Sequence, residues 1–256
     1  MNYLVKYSPE MTIKSRPVRT RFAKQLRINL AKLLLRLSEE ILIKANWDHL
    51  DVEVPATVNH LQPQVEEVLA STQGICFFER VQVFKANTLD EVILHTLQIF
   101  QNRLIGKTFA VRCRRIGKHD FTSMDVEKFA GSGLSTNRKT AGVSLSNPEV
   151  LVKLEIRKDK LFVVEENFPG LSGFPLGTQD GVLSLISGGF DSSVSSYMSI
   201  KRGLKTHFCF FNLGGREHEI AVKEVALYLW MRFGSTHPMS FITVPFEEVV
   251  AEILKK

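Results

Sequence analysis

The chain has 256 residues, enough for more than one domain of usual size, and 44% of them are hydrophobic, as in an ordinary soluble protein. No apolar run is long enough to span a bilayer, and the N-terminus lacks the basic start and apolar stretch of a signal peptide. Cys76, Cys113 and Cys209 lie far apart without a Cys-x-x-Cys pair, which argues against a disulfide framework or a zinc site. We therefore expect a cytoplasmic protein with no membrane partner.

The net charge of +6 is concentrated in two stretches that contain no acidic residue. Each stretch alone fits a solvated surface as well as a site for a polyanion. Two of them in a chain that also has a glycine-rich candidate phosphate loop, at residues 187–192, favour nucleic acid. The first basic cluster comprises Lys14, Arg16, Arg19, Arg21, Lys24, Arg27, Lys32 and Arg36, and the second comprises Arg103, Lys107, Arg112, Arg114, Arg115 and Lys118.

The first 60 residues predict a small β-α-β-β unit. Alternating residues from Tyr3 to Tyr7 indicate a strand, and Ser15 is a candidate N-cap with Pro17 at the first helical position. Residues 41–46 and 51–54 follow as short strands. The helix has an apolar stripe that predicts which of its faces is buried, namely Val18, Phe22, Leu26, Leu30, Leu33 and Leu37.

A second α+β unit is predicted from about residue 61. A helix at 64–70 is followed by a strand at 75–84, and Thr88 caps a helix that runs through Leu104. In the next strand, from Thr108, Arg112 and Arg114 point away from Val111 and Cys113. A helix from Thr122 or Ser123 to Ala130 comes next, and strands 150–157 and 161–165 then meet across a turn at 158–160. His119 lies in a basic turn without partner ligands, so we assign it no catalytic role.

The most informative stretch is a strand, a glycine turn and a helix at 182–203. The apolar run 182–186 indicates a central parallel strand, and Val194, Tyr197, Met198 and Ile200 indicate a helix that ends at Gly203. Glycine lets the backbone approach a phosphate, and the unpaired N–H groups at the helix start point at it. The alternative is an ordinary turn rich in small residues. Beyond it we expect strand 206–213, a helix at about 216–233, strand 241–244 and a helix from Phe246.

The sequence Ser187-Gly188-Gly189-Phe190-Asp191-Ser192 lacks the lysine of a Walker A motif and instead resembles the pyrophosphate loop of N-type ATP pyrophosphatases. The stretch from Arg115 to Phe121, Arg-Ile-Gly-Lys-His-Asp-Phe, resembles the THUMP domain of RNA-modifying enzymes. Together with residues 10–15, 47–50, 173–179 and 209–215, these motifs make the whole chain resemble the tRNA 4-thiouridine synthetase family, whose members also serve thiamine biosynthesis.

This resemblance implies the fold class, which is a multidomain protein of α/β and α+β type. A ferredoxin-like domain would occupy residues 1–60 and a THUMP domain residues 61–167. A linker would follow at 168–179, and residues 180–256 would begin a Rossmann-like parallel-sheet ATP pyrophosphatase domain that is incomplete.

The resemblance also implies the chemistry. ATP and Mg²⁺ would be the cofactors, a uridine C4 oxygen in tRNA would be adenylated, and sulfur from a cysteine desulfurase would displace AMP. Asp191 would be catalytic and would hold Mg²⁺. The expected ATP contacts are Leu185, Ile186, Ser187, Gly188, Gly189, Asp191, Ser192, Phe210 and Phe211. The expected tRNA contacts are Lys14, Arg16, Arg19, Lys24, Arg112, Arg114, Arg115, Lys118 and His119.

The sequence departs from the family pattern at two places, and the second of them bears on whether the chain is a complete enzyme. Ser193 stands where many members have proline, and we expect little effect from it. The chain also stops before the family's further strands and sulfur-transfer cysteine, whose positions none of its three cysteines occupies. We expect a truncated enzyme, the alternative being a tRNA- and ATP-binding fragment without turnover, while the loop argues against a THUMP methyltransferase or pseudouridine synthase. A downstream rhodanese domain, the sulfur donor, a role in thiamine synthesis and a homodimer are left open.

Overall fold

The computed structural model describes residues 1–136, 140–213 and 215–255. Gly214, part of the 209–215 match, lies outside the described residues. A 3₁₀ helix spans Ala56–Leu61 and a π-helical turn Trp230–Gly234. In chain order the other elements are β1 (Asn2–Tyr7), α1 (Pro9–Thr12), α2 (Arg16–Leu35), β2 (Leu42–Ala45), β3 (His49–Glu53), α3 (Gln62–Ser71), β4 (Ile75–Lys85), α4 (Leu89–Phe100), β5 (Thr108–Ile116), α5 (Ser123–Thr136), β6 (Gly142–Val143), β7 (Val150–Arg157), β8 (Lys160–Pro169), β9 (Gly181–Leu185), α6 (Phe190–Lys201), β10 (Lys205–Asn212), α7 (Arg216–Leu229), β11 (Phe241–Pro245) and α8 (Glu247–Leu254).

The chain divides into two compact units. The first unit consists of Met1–Tyr3 and Glu79–Asn167, and the second of Leu4–Phe78 and Phe168–Lys256. Among the described residues, no helix has the length and apolar content needed to cross a membrane. The predicted fold class, a combination of α+β and parallel α/β architecture, is confirmed.

In the first unit, strands follow the order β4-β8-β7-β5-β6. β5 runs parallel to β7, which is antiparallel to β8, and Arg157 faces Lys160 across the predicted turn. α5 packs on β5 and on α4. The core between these helices and strands is built from alternate strand residues and one stripe of each helix, and includes Val92, Phe109, Val126, Val152 and Val163.

Side-chain caps define where the helices of the first unit begin. The Thr88 hydroxyl accepts a hydrogen bond from the Glu91 N–H at 3.3 Å, and the Glu91 carboxylate accepts one from the Thr88 N–H at 3.2 Å. Thr122 and Asp125 make the same reciprocal pair at the start of α5. Both N-terminal signals predicted from the sequence are therefore confirmed.

The second unit contains two groups of strands. β2 and β3 form an antiparallel pair next to β1, and β11-β10-β9 form a parallel sheet with β10 in the middle. α6 contacts β9 and α7 contacts β10. The parallel sheet and these helices enclose a core that contains Leu176, Ile186, Ile200, Phe208, Phe210 and Val222.

The segment 168–179 is bound tightly to the N-terminal part of the second unit. The buried Asn29 side chain donates a hydrogen bond to the Leu176 carbonyl at 2.8 Å, and the Ser8 hydroxyl donates one to the Gly173 carbonyl at 2.7 Å. A Cβ on Gly170 would lie 2.3 Å from the Ile75 carbonyl oxygen, so only glycine allows this approach. This segment therefore packs against the rest of the second unit.

Several predicted details of the helices are wrong. α2 buries Asn29 and Leu34 in place of Leu33 and Leu37. Leu34 is buried because steps of four residues from Phe22 lead to it. Asn29 is buried because its side chain hydrogen-bonds to the Leu176 carbonyl. Ser15 takes the N-cap position of α2 but makes no side-chain cap bond, and Pro17 occupies the second helical position.

The ends of α4 and α5 also differ from expectation. α4 ends at Phe100, and Leu104 reaches the core through a turn. α5 continues past Ala130 to Thr136 because Leu134 extends its buried stripe. A Cβ on Gly133 would lie 2.9 Å from Ile93, so glycine in this helix serves close packing and does not end it.

The strand expected at the centre of the parallel sheet lies at its edge in the described residues. β9 pairs with β10 alone, and its Leu183 and Leu185 side chains are exposed. On α6 the predicted stripe is partly wrong, because Val194 and Met198 are exposed while Ser196 and Ile200 are buried.

Candidate phosphate-binding loop and nucleic-acid interface

The loop between β9 and α6 has the backbone of an anion site. Gly188 has a φ of +83°, and Gly189 is the N-cap of α6 but, lacking a side chain, makes no cap hydrogen bond. The first-turn N–H groups of α6 therefore have no side-chain cap and form the positive end of a helix dipole. Inside the loop, the Ser187 N–H donates to the Ser192 hydroxyl at 3.2 Å, and that hydroxyl donates to the Gly189 carbonyl at 3.1 Å.

The two glycines meet different surroundings. A Cβ on Gly188 would lie 3.0 Å from a methyl group of Val222 on α7, in a backbone conformation that favours glycine. A Cβ on Gly189 would have the Ser187 hydroxyl as its nearest neighbour, at 3.6 Å. Gly188 is thus required by the fold of the loop, whereas the space at Gly189 is open and can admit a ligand.

Asp191 lies in the first turn of α6 and is exposed. The helix dipole favours a carboxylate at this position. In the described part of the chain, no group of three or more His, Cys, Asp or Glu residues could hold a metal ion. Mg²⁺ is commonly held by one or two carboxylates together with phosphate oxygens, so a single carboxylate fits only a metal that arrives with a nucleotide. The metal role of Asp191 stays a prediction.

The four apolar residues predicted to border a nucleotide divide into two pairs. Leu185 is 61% exposed and Phe211 is 41% exposed, so both are accessible at the surface. Ile186 and Phe210 are 3% and 2% exposed and belong to the core of the parallel sheet. The side chains of the second pair do not line a surface, because alternate residues of a strand point to opposite faces.

His218, which the sequence did not single out, contacts the loop. It lies in the first turn of α7, and its Nε2 is 3.2 Å from the Ser187 carbonyl oxygen. Its ring packs edge-to-face on Phe210, with the ring centroids 5.2 Å apart. The available signal was its position just after the strand that neighbours β9, since the ends of adjacent parallel strands meet at one edge of a sheet.

The first basic cluster divides into two halves. Around the N-terminal half of α2, the Arg19 guanidinium lies 4.3 Å from the centre of the Trp47 ring and donates to the Trp47 carbonyl at 2.9 Å. Trp47 is 57% exposed and, with Arg19, Lys24 and Arg27, lines a groove of about 380 Å³. An exposed indole beside cations is suited to RNA, because bases stack on aromatic rings and phosphates attract cations.

The C-terminal half of this cluster is used by the fold. Lys32 donates to the Thr236 carbonyl at 3.3 Å, and Arg36 donates to the Ser235 carbonyl at 2.7 Å. These two residues were not among the predicted tRNA contacts. Of those that were, Lys14 is exposed, with its ammonium 5.5 Å from the ring of Phe174, and Arg16 lies 5.7 Å from that of Trp47.

The second basic cluster is more heavily engaged than the sequence predicted. On β5, Arg112 and Arg114 are exposed as expected, but Arg112 donates to the Leu145 carbonyl at 3.0 Å and lies 3.8 Å from the Glu127 carboxylate. Arg103 pairs with Glu165. The basic turn that follows β5 contains Lys118, which is exposed.

His119 holds that basic turn together. Arg115 Nη1 lies 3.1 Å from His119 Nδ1, and His119 Nε2 lies 2.6 Å from the Lys158 carbonyl oxygen. Arginine can only donate, so Nδ1 accepts and Nε2 carries the proton that it donates to Lys158. His119 is therefore satisfied by structural bonds, and its contact with tRNA stays a prediction.

The surroundings of the three cysteines do not favour a role as a sulfur carrier. Burial raises the pKa of the Cys113 thiol to about 12, so it is protonated at neutral pH. Cys209 is buried and Cys76 is partly buried. A reactive cysteine needs an accessible thiolate, so we assign none of the three to sulfur transfer.

Two family models match the chain. The model described as thiamine biosynthesis protein (ThiI) matches residues 177–256, and the THUMP domain model matches residues 86–164. The candidate phosphate loop thus lies in the ThiI region, and all nine residues of β5 lie in the THUMP region.

Curated relatives match the chain over its whole length. It is 48% identical to a tRNA sulfurtransferase of Saccharophagus degradans and 50% identical to one of Psychromonas ingrahamii, over 256 residues in both cases. Each alignment covers 100% of this chain and 53% of the relative. The chain therefore spans about half the length of these relatives.

The fold is similar to that of a solved 4-thiouridine synthetase, crystallised as an RNA complex with bound ATP. The TM-score is 0.80 at 22% identity, and the match covers 99% of this chain and 64% of the other. At 22% identity, this match shows a similarity of fold only.

Proposed function

We propose, from the premise that this chain carries the THUMP and ThiI regions of the tRNA 4-thiouridine synthetase family, that it supplies the tRNA- and ATP-binding part of a tRNA sulfurtransferase. The resemblance predicted from the sequence motifs is confirmed by the two family models and by the relatives. The activity, the substrates and the partners belong to our proposal.

The observation that carries the proposal is the loop between β9 and α6. Its Gly188 backbone conformation, the absence of a side-chain cap on α6 and the open space at Gly189 together fit a chain of phosphates. The Ser187 and Ser192 hydroxyls lie 3.2 Å apart and add polar groups at the same place.

The residues of the loop would act by binding and orientation. Ser187, Gly188, Gly189 and Ser192 would hold the phosphates of ATP, and Asp191 would orient them with Mg²⁺. Bound ATP would supply the adenylyl group that turns the uridine C4 oxygen into a leaving group. Such sites act mainly through positioning and through groups that stabilise developing charge.

Transfer RNA is the proposed macromolecular substrate. The groove beside Trp47 and the exposed Lys118 turn are the two surfaces that support it, since each presents cations to solvent. Recognition would be largely electrostatic and would depend on shape, as is usual for structured RNA.

Other parts of the proposal rest on the family alone. They are the domain division at 1–60, 61–167, 168–179 and 180–256, the sulfur donor (a cysteine desulfurase), the role in thiamine synthesis, the cytoplasmic location and a homodimer.

Binding without turnover is the second candidate function for these 256 residues. It is favoured by the protonated state of Cys113 and by the burial of Cys209. The two candidates differ in chemistry and can be separated directly.

The test uses the purified chain with unmodified tRNA, Mg²⁺ and ATP labelled in its phosphates. Calorimetry should detect ATP binding, and filter binding should detect tRNA. Release of pyrophosphate that depends on tRNA would establish the adenylation step, and binding of both ligands without release would favour the second candidate. A folded chain that binds neither ligand would overturn the proposal.

A further inference from the structure

We propose that His218 is a positioning residue of the phosphate loop, which it holds through the Ser187 carbonyl. This inference rests on the proposed function for its purpose, because the loop is assigned there to ATP. The bond itself is a feature of the fold, with Nε2 3.2 Å from the carbonyl oxygen.

The imidazole and a methyl group of the same helix support the loop side by side. His218 and Val222 are four residues apart on α7 and so lie on one face of the helix. A Cβ at Gly188 would lie 3.0 Å from a Val222 methyl group, and the His218 ring rests on the buried Phe210. α7 therefore forms a wall beside the loop, with one polar contact and one apolar contact.

The start of α7 is fixed independently of the loop. The Asn212 side-chain oxygen accepts a hydrogen bond from the Gly215 N–H at 3.1 Å, which ties the end of β10 to the start of the helix. Glu219 accepts a hydrogen bond from Thr243 of β11 at 2.9 Å and pairs with Lys223. Bonds from Lys223 and Thr243 hold the pKa of the Glu219 carboxyl below its usual range, so it is charged at neutral pH. His218 is thus presented to the loop from a rigid base.

The carbonyl contact controls the direction of a loop N–H group. In a planar trans peptide the C=O and the following N–H point in opposite directions. When His218 holds the Ser187 carbonyl on the α7 side, the Gly188 N–H is directed to the other side. The bond also gives a partner to a carbonyl oxygen that would otherwise repel phosphate oxygens. His218 would therefore improve ATP binding without touching ATP.

Two substitutions separate the hydrogen bond from ring packing. His218→Phe keeps an aromatic ring on Phe210 and removes the donor, while His218→Gln restores an N–H donor without the ring. We expect the phenylalanine variant to weaken ATP binding roughly fivefold, as for the loss of one hydrogen bond, and the glutamine variant to bind within about twofold of the parent. His60→Phe, at an exposed histidine of the 3₁₀ helix, is the matched control.

A ligand-independent measurement keeps this test separate from that of the proposed function. The backbone amides of Ser187, Gly188 and Gly189 should exchange faster with solvent in His218→Phe than in the parent or in His218→Gln. If the parent binds no ATP, the proposed function fails while the exchange rates still decide the role of His218. Unchanged exchange in a folded phenylalanine variant, or equal loss of ATP affinity in both variants, would overturn the inference.

Discussion

At the scale of single residues, adjacent glycines of one motif have separate tasks. The pattern Ser-Gly-Gly-Phe-Asp-Ser treats Gly188 and Gly189 alike. Of the two, only Gly188 has a positive φ, +83°, and a Cβ on it would press on Val222. Gly189 is the N-cap of α6, with open space where a side chain would begin. The first glycine therefore serves the fold, and the second leaves the open space in which we propose that a phosphate binds.

This division predicts opposite outcomes for two alanine variants. Gly188→Ala should lower the free energy of unfolding by about 1–2 kcal/mol, because a Cβ is strained in this conformation and presses on Val222. Gly189→Ala should leave unfolding almost unchanged and should weaken ATP binding, because its methyl group occupies the phosphate space. Urea denaturation and calorimetry measure the two effects. Equal stabilities would show that the Gly188 conformation is not required.

Asp191 supports a second prediction at this scale. Asp191→Ala should reduce the affinity for ATP in the presence of Mg²⁺ and have little effect in its absence, while tRNA binding is retained. Asp180→Ala is the matched control, since Asp180 is an exposed carboxylate just before β9. Loss of tRNA binding with retained adenylation would reverse the roles that we have given to Asp191.

At the scale of elements, helix starts depend on whether a capping side chain makes its bond. Thr88 completes a reciprocal pair with Glu91, whereas Ser15 stands at an N-cap without a side-chain bond. Bonds from the Asn87 and Thr88 N–H groups lower the pKa of the Glu91 carboxyl. Its contribution to stability is present above the pKa of the unfolded chain and is lost as pH falls through the lower pKa of the folded state.

The capping difference can be tested by paired alanine variants. Thr88→Ala should destabilise the protein by about 1 kcal/mol, because a helix N–H loses its acceptor. Ser15→Ala should be nearly neutral, since no side-chain bond is lost. Thermal or urea unfolding at neutral pH provides both values. A comparable loss in the two variants would mean that Ser15 caps α2 in solution.

Local capping and turn signals are where the sequence was most informative. Thr88, Gly203 and the 158–160 turn could be placed from local chemistry, since each acts on its immediate neighbours. The end of α5 could not, because Gly133 is explained only by Ile93 on another helix. The buried positions of α6 and the core position of Phe210 depend likewise on neighbours from distant parts of the chain. His218 escaped notice because a lone exposed histidine has no local signature.

At the scale of the whole molecule, the positive charge of one stretch is divided between an exposed groove and hydrogen bonds within the fold. Lys24 and Arg27 line the groove beside Trp47, while Lys32 and Arg36 bind the carbonyl groups of Thr236 and Ser235. All four residues belong to a single stretch of positive charge in the sequence. The structure assigns the two pairs different surroundings, which composition alone does not distinguish.

This separation predicts how tRNA binding responds to salt. Lys24→Gln with Arg27→Gln should reduce the slope of log affinity against log salt by roughly 1.5, because two counterion-releasing contacts are lost. Lys32→Gln with Arg36→Gln removes the same charge and should leave the slope nearly unchanged. Filter binding across a salt series measures both. Equal slopes for the two double variants would indicate a response to net charge only.

Replacing Arg112, Arg115 and Lys118 together should also reduce the slope, chiefly through Lys118, because Arg112 and Arg115 already have protein partners.

The exposed edge of β9 affects how the isolated chain behaves in solution. Among the described residues, β9 pairs on one side only and its Leu183 and Leu185 are open to solvent. Such an edge is a template on which a second molecule can add its own strand. Sedimentation at increasing protein concentration should therefore reveal self-association, and an Asp or Lys at Leu185 should suppress it. A dimer that disappears with this substitution would arise from sheet extension, and only a dimer that survives it would be evidence for a quaternary structure used in catalysis.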